Sequence, residues 1–236
     1  MLRALVCGCM CLLILPMLGA QSIPSSERSR AAIARQTPAL REAVQALGLA
    51  WGAEVFIRIH KAEDELELYL RGAQGWQLFR TWPICDWSGE LGPKLREGDR
   101  QAPEGWYEVA PGQMNPVSRF HLSFNLGYPN AHDRHHDRTG SLLMVHGSCV
   151  SIGCYAMTDA VIEEIWTLMT AAYAAGQPRI AVLALPMRMD AGWESRAPDS
   201  EWTAFWRDLA AIDHAFRAGT LRSVAVRDGR YVVVGM

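Results

Sequence analysis

Residues 144–157 read MVHGSCVSIGCYAM and hold the densest cluster of reactive side chains in the 236-residue chain. His146 stands at the end of an apolar run and is followed by a loop of small residues. Cys154 follows a glycine and lies shortly before a predicted helix. A carbonyl can approach a thiol beside glycine, backbone N–H groups there can bind an oxyanion, and an imidazole can take the thiol proton. The stretch therefore predicts a cysteine-based acyl-transfer site between a strand and a helix.

Short alternating apolar segments on both sides of this stretch predict a mostly β chain with α additions, an α+β fold. A helical segment in two pieces, broken at Thr37-Pro38, is expected in residues 21–50, ahead of a single catalytic domain in residues 51–236. Residues 127–141 are expected to form a polar loop between two strands. The sequence predicts strands at 55–59, 66–70, 76–82, 106–109, 120–126, 142–146 and 180–185, helices at 158–176 and 199–218, and a closing hairpin at 224–234.

The composition excludes several classes of protein. Half of the residues are hydrophobic, which is enough for an ordinary globular core. Lys and Arg number 23 against 25 Asp and Glu, so no excess positive charge is available for nucleic acid, which we exclude as a partner. The segment 132–137 (HDRHHD) contains metal-ligand side chains, but two arginines stand in or beside it and no ligand spacing is defined. We therefore expect a solvated or substrate-facing loop there, and neither a metal nor a cofactor.

The N-terminus has the pattern of a secretory signal peptide over residues 1–20. Arg3 supplies a positive charge, an apolar run reaches Leu15, and small residues end at Ala20. The apolar run is too short to span a bilayer, and its early cysteines leave open a lipid-modified start. We expect cleavage near Ala20 and a periplasmic location.

Three cysteines remain after such a cleavage: Cys85, Cys149 and Cys154. An odd number in an oxidising compartment leaves at least one thiol free, either buried and inert or activated by a neighbouring histidine. A disulfide between Cys85 and Cys149 would keep Cys154 free, whereas a disulfide between Cys149 and Cys154 would block the predicted nucleophile. Both pairings are open at this point.

The chain resembles the YkuD-type L,D-transpeptidase family, whose signature is a His-Gly followed by Ser-x-Gly-Cys, here His146-Gly147 and residues 151–154. It is similar in particular to the YafK-like branch, through further segments that occur in the same order over about residues 54–206. An ordered string of motifs is far more specific than one Gly-Cys pair. These segments are 84–85, 87–89, 91–94, 98–99, 102–105, 127–131 and 146–157, with Phe205-Trp206 as the last.

The resemblance implies an L,D-transpeptidase-like β-sandwich or barrel in which Cys154 is the nucleophile and His146 the base. A backbone carbonyl near Gly147 or Ser148 would orient the imidazole in place of a carboxylate. Backbone N–H groups would form the oxyanion hole, and a serine hydroxyl would hold the loop. The oxyanion residues are Gly153, Cys154 and Tyr155, and the loop serine is Ser151.

Two positions depart from the family pattern. Ile152 stands where most members have a second histidine, and Ala156 stands where they carry Arg or Asn. His146 is also closer to the cysteine than is usual in the family. His146 is therefore the one imidazole that this segment offers as a base.

The implied substrate is a peptidoglycan stem peptide, attacked at the carbonyl of the L-centre of diaminopimelate to give a thioester. Carboxylates on such a donor favour guanidinium partners, and Arg119, Arg134 and Arg138 are the candidates. Three functions are open. They are transpeptidation in cell wall biogenesis and cell shape, hydrolysis that detaches a lysine-linked outer-membrane lipoprotein from the wall, and a non-catalytic peptidoglycan-binding module.

Overall fold

The computed structural model describes residues 22–235, so the predicted signal peptide lies outside the described residues. Within this part of the chain, no helix is both long and apolar enough to cross a membrane. The fold is a mixed α+β architecture of two five-stranded sheets, one hairpin and a few helices. In chain order the elements are α1 (Glu27–Ala46), β1 (Val55–His60), β2 (Glu65–Gly72), β3 (Gly75–Pro83), β4 (Asp86–Trp87), β5 (Gly105–Val109), β6 (Met114–Asn115), β7 (Ser123–Asn125), α2 (Ala131–His135), β8 (Met144–His146), β9 (Tyr155–Ala156), α3 (Asp159–Ala174), β10 (Ile180–Leu185), α4 (Thr203–Arg217), β11 (Ser223–Arg227) and β12 (Arg230–Val234).

The first sheet has the strand order β3-β2-β1-β10-β5 and separates two apolar cores. Every residue of β1 is buried, as expected for a central strand that is covered on both faces. Ile57 and Ile59 belong to the core shared with α1 and α3, whereas Phe56 packs in the core beneath α4 and the β11–β12 hairpin. The alternation of side chains along β1 thus supplies both cores at once.

The second sheet, ordered β4-β9-β8-β7-β6, carries the segment that the sequence singled out. Its strands are only two or three residues long, and they bury Phe124, Val145 and Tyr155 in the same core as the first sheet. Strand β8 lies parallel to β9, with Val145 opposite Tyr155. This pairing brings the two ends of the 144–157 stretch side by side.

The N-terminal helix corrects one expectation, because α1 runs unbroken through Pro38. Proline lacks the N–H that an internal helical position donates, so α1 loses one backbone hydrogen bond at Pro38, while the neighbouring Thr37 hydroxyl donates to the carbonyl of Ile33 at 2.6 Å. The residues that α1 buries lie on both sides of the proline, including Ala32 and Leu40, and the helix packs against α3. Burial of one continuous face therefore outweighs the local cost of the proline.

The predicted polar loop at residues 127–141 is also wrong in part, because it contains the short helix α2. Asn130 caps this helix by accepting the backbone N–H of Asp133 at 2.9 Å. His132 is 2% exposed and stacks on Tyr231 with ring centroids 4.4 Å apart, so α2 buries His132 and Asp133 while residues 134–137 are exposed to solvent. In the described residues, no group of three or more His, Cys, Asp or Glu side chains is arranged to hold a metal ion.

Candidate active site

The parallel pairing of β8 and β9 places His146 and Cys154 on one face of the second sheet. His146 ends β8, and Cys154 immediately precedes β9, in which Tyr155 lies opposite Val145 and Ala156 lies opposite His146. Because side chains alternate along strands, His146 and Cys154 project to the same side. Both line one cleft of about 660 Å³, a volume that suits a peptide-sized ligand.

The imidazole of His146 is fixed in one tautomer. Its Nδ1 lies 2.6 Å from the carbonyl oxygen of Gly147, which can only accept, so Nδ1 carries the proton and Nε2 keeps its lone pair. The Phe120 ring stacks on the imidazole at a centroid distance of 4.6 Å. Burial lowers the pKa of His146, while the Gly147 carbonyl and the charge of Asp86 act in the opposite direction. The orienting carbonyl is thus that of Gly147, one of the two that the sequence analysis named.

The thiol of Cys154 is free and only partly accessible. The backbone N–H of Met144 donates to Sγ at 3.4 Å, and the carbonyl oxygen of Leu142 lies 3.7 Å from Sγ. Burial raises the pKa of this thiol, against smaller lowering contributions from the Met144 N–H and the charge of Lys94. At neutral pH the cleft therefore holds a neutral thiol and a neutral imidazole, which are the protonation states that general-base activation of a thiol requires.

The loop between base and nucleophile is held by a disulfide and by a turn. Cys149 is bonded to Cys85, with Cα atoms 5.2 Å apart, and this pairing leaves Cys154 as a thiol. Ser148 and Cys149 both adopt left-handed backbone conformations, with φ of +70° and +52°. The N–H of Ser148 donates to Asp159 Oδ1 at 2.9 Å, which ties the turn to the start of α3. Two strained positions are thus anchored on both sides.

The hydroxyl of Ser151 forms hydrogen bonds with two of the backbone amides that were expected to form the oxyanion hole. It accepts the N–H of Gly153 at 3.1 Å and the N–H of Cys154 at 2.9 Å, and it donates to the carbonyl of Cys154 at 2.8 Å. In this conformation neither amide N–H can donate to an oxyanion, because both already donate to the Ser151 hydroxyl. The Ser151 hydroxyl forms the contacts that holding the loop would require, and the roles of Ser151 and Tyr155 stay predictions.

The cleft has an apolar mouth and a charged wall. Its mouth exposes large side chains, among them Ile152, which is 81% exposed. The wall is the segment from Lys94 to Arg100, which lines the cleft with two cations and a carboxylate. The exposed apolar residues of the mouth are Phe120, Leu142, Val150 and Ile152, and the charged residues of the wall are Lys94, Glu97 and Arg100.

None of the three arginines expected to bind substrate lines this cleft. Arg138 is buried in an ion pair with Asp133 at 2.9 Å, so its charge is already used within the fold. Arg134 lies on α2, lines a different cavity and donates to the carbonyl of Pro129. Arg119 is exposed beside Phe120 but is not part of the cleft lining. Arg134 and Arg138 lie away from the cleft because α2 and the residues after it pack against the β11–β12 hairpin, whereas the role of Arg119 stays a prediction.

Sequence reasoning missed three residues of the site, Glu97, Arg100 and Phe120. Glu97 and Arg100 lie in or beside segments whose order carried the family resemblance, but nothing in a Gly- and Pro-rich loop shows which side faces a cleft. Phe120 precedes β7 and was included in a longer predicted strand, so its stacking on the base was not foreseen. The one sequence signal for Glu97 and Arg100 was that they are charged and flank residues 98–99, one of the segments that resemble the family.

One cleft of this α+β fold therefore holds a free thiol and an imidazole with a fixed tautomer, which are the two groups that a cysteine-based acyl-transfer site requires. No family model matches the chain. A curated relative, the Escherichia coli (strain K12) protein named "Putative L,D-transpeptidase YafK", is 42% identical over 198 residues, which cover 84% of this chain and 79% of that protein. The chain belongs to the YkuD-type L,D-transpeptidase family, in its YafK-like branch.

Two solved structures show more distant similarity. The helical cell shape determining protein Pgp2 from Campylobacter jejuni is 20% identical with a TM-score of 0.45, over 62% of this chain and 55% of that one. Bd1075 from Bdellovibrio bacteriovorus is 21% identical with a TM-score of 0.40, over 57% of this chain and 49% of that one. The chain thus spans about half the length of these two proteins.

Proposed function

We propose that the protein is an L,D-transpeptidase-type enzyme that acts on peptidoglycan stem peptides, with Cys154 as nucleophile and His146 as base. The observation that carries this proposal is the fixed tautomer of His146, whose Nε2 is left as a proton acceptor in the cleft that holds the free thiol. A binding module needs neither group. The name of the curated relative supports the choice of substrate.

The proposed reaction begins when the Cys154 thiol gives its proton to Nε2 of His146 and the sulfur attacks the carbonyl at the L-centre of diaminopimelate. Collapse of the tetrahedral intermediate breaks the C–N bond, and the imidazolium returns the proton to the leaving amine. The product is a thioester on Cys154. An acceptor amine or water then attacks the thioester, again losing its proton to His146, and the thiol is restored.

The molecule that attacks the thioester decides whether the reaction is transpeptidation or hydrolysis. A diaminopimelate amine or a lipoprotein lysine as acceptor gives a new crosslink, whereas water gives a shortened stem or detaches a lysine-linked lipoprotein from the wall. Both outcomes use the same thiol and imidazole. We propose acyl transfer as the activity and treat the acceptor as the quantity to be measured.

A periplasmic location is part of the proposal. The Cys85–Cys149 bond is of a kind that persists in oxidising compartments, and the predicted signal peptide would deliver the chain there. The two five-stranded sheets are compatible with the L,D-transpeptidase-like sandwich that the family resemblance implies.

Product analysis by mass spectrometry tests the function. Residues 21–236 and the Cys154→Ala variant are incubated with sacculi that carry tetrapeptide stems and lysine-linked lipoprotein. We expect the unchanged chain to give either new crosslinks between diaminopimelate residues or released lipoprotein, and the variant to give neither. Identical products from both proteins would contradict an enzymatic function and favour the wall-binding module.

A further inference from the structure

The charged wall of the cleft, residues 94–100, carries charges that the acyl chemistry does not use. The wall contains no helix or strand, but hydrogen bonds within the segment connect its residues. Lys94 is 4% exposed, and its ammonium binds the carboxylate of Asp99 and the carbonyl of Arg96. Asp99 also accepts the backbone N–H groups of Leu95 at 2.9 Å and Gln101 at 3.0 Å. The charge of Lys94 is therefore neutralised within the wall.

Glu97 and Arg100 differ from Lys94 because their charged ends are exposed. In the described residues, neither side chain forms an ion pair or a hydrogen bond, although both backbones are fixed. The N–H of Glu97 donates to the Thr139 hydroxyl at 3.1 Å, and the carbonyl of Arg100 accepts the Ser88 hydroxyl at 2.7 Å. Arg100 also keeps a left-handed backbone with φ of +55°, which a long side chain adopts only at a cost.

The cleft lining thus includes one free carboxylate and one free guanidinium, three positions apart in the sequence, together with exposed apolar side chains. A ligand that matches this pattern carries an ammonium and a carboxylate close together at the end of a methylene chain. Diaminopimelate has this form: when its L-centre is part of the peptide, its other centre keeps both charged groups on one carbon. Carboxylates bind guanidinium groups strongly, and carboxylate side chains accept the N–H groups of an ammonium.

We propose that Glu97 and Arg100 are specificity-determining residues that bind the free amino-acid centre of diaminopimelate, with its ammonium at Glu97 and its carboxylate at Arg100. This inference rests on the proposed function and adds a rule for substrate choice. The enzyme selects donors whose second diaminopimelate centre is unmodified, and it discriminates against donors in which that amine is acylated or that carboxylate is amidated.

Steady-state kinetics with three synthetic tetrapeptide donors tests the inference. One donor has the free centre, one has its carboxylate amidated, and one has its amine acetylated. For the unchanged enzyme we expect each modification to lower kcat/KM roughly tenfold, as for loss of one hydrogen bond to a charged group. Arg100→Gln should lose only the discrimination against the amide, and Glu97→Gln should lose only the discrimination against the acetylated amine.

Arg96→Gln is the matched control, because Arg96 is an exposed cation of the same wall whose side chain does not line the cleft. It should keep both discriminations. Binding of the same donors to Cys154→Ala combined with each variant, measured by calorimetry, gives the same comparison without turnover. Equal use of all three donors by the unchanged enzyme, or variants that keep both discriminations, would overturn the inference. Turnover of no donor at all would instead count against the proposed function.

Discussion

Among single residues, the proposed mechanism makes activity depend on the protonation states of His146 and Cys154. Burial lowers the pKa of the imidazole below its ordinary value of 6.5 and raises that of the thiol above 9.0. Between these limits both groups are neutral, and His146 is able to accept the proton of Cys154. The base therefore stays competent at mildly acidic pH, and activity is lost only when the pH falls through its lowered pKa.

The pH dependence of kcat/KM measures this directly. We expect the acidic limb to have its midpoint below pH 6.5, because protonation of His146 removes the base and burial opposes that protonation. Alkylation of Cys154 by iodoacetamide, followed without substrate, should increase with pH up to values above 9. A rate profile centred at pH 6.5 or higher would show that burial does not control the imidazole.

Ser151 is the second residue whose role is open to measurement. Ser151→Ala removes an acceptor for two N–H groups and a donor to the Cys154 carbonyl, so we expect a loss of about 1–3 kcal/mol in the free energy of unfolding. Ser148→Ala is the control, because the backbone N–H of Ser148 donates to Asp159 while its hydroxyl has no hydrogen-bond partner among residues 22–235. Equal midpoints of thermal unfolding for the two variants would contradict the role of Ser151 in holding the loop.

At the scale of whole elements, a disulfide joins the residue before β4 to the turn after β8, and we expect it to stabilise the loop between His146 and Cys154. The Cys85–Cys149 bond closes a segment of 64 residues that contains the charged wall and the base. We expect Cys85→Ala combined with Cys149→Ala to lower the free energy of unfolding by about 2–4 kcal/mol. Urea unfolding of the double variant, compared with the reduced and the oxidised unchanged chain, measures this contribution. An unchanged midpoint would contradict it.

The sequence predicted secondary structure well where the pattern of apolar residues is regular. It did not predict which residues are buried or face the cleft where packing between distant segments determines this. The alternation from Val55 and the capping pair at Thr158-Asp159 predicted β1 and α3, and the two residues that the family signature singled out, His146 and Cys154, line one cleft. The burial of α2 depends on Tyr231, about a hundred positions later, which no local pattern reveals. The same holds for the charged wall, because its exposure to the cleft depends on how the loop folds over the second sheet.

Across the whole molecule, a buried lysine joins the first sheet, the loop of the charged wall and α4. Lys61 follows β1, is fully buried, and donates to Glu104 Oε1 at 3.0 Å and to the carbonyls of Glu90 and Gly92 at 2.7 and 3.0 Å. The other carboxylate oxygen of Glu104 accepts the indole N–H of Trp206 at 2.8 Å. Burial lowers the pKa of Lys61, and Glu104 opposes this. One ion pair thus links the end of β1 and the loop that precedes the charged wall to α4.

Glu104→Gln tests this connection. Loss of the carboxylate leaves a buried ammonium without its counter-charge, so we expect the free energy of unfolding to fall by about 3–5 kcal/mol. Arg207→Gln is the control, because it breaks an ion pair with Glu194 that is more than half exposed and should cost less than about 1 kcal/mol. Equal urea midpoints for the two variants would show that the buried pair does not hold the loop.

The central claim is that Cys154 carries the acyl group during turnover. Intact-mass spectrometry of the enzyme, quenched in acid within the first turnovers of a tetrapeptide donor, is the most direct measurement. We predict an adduct equal in mass to the acyl part of the donor, located on the peptide that contains Cys154, removed by hydroxylamine and absent from Cys154→Ala. Turnover by the Cys154→Ala variant, or an adduct on a different residue, would contradict the claim.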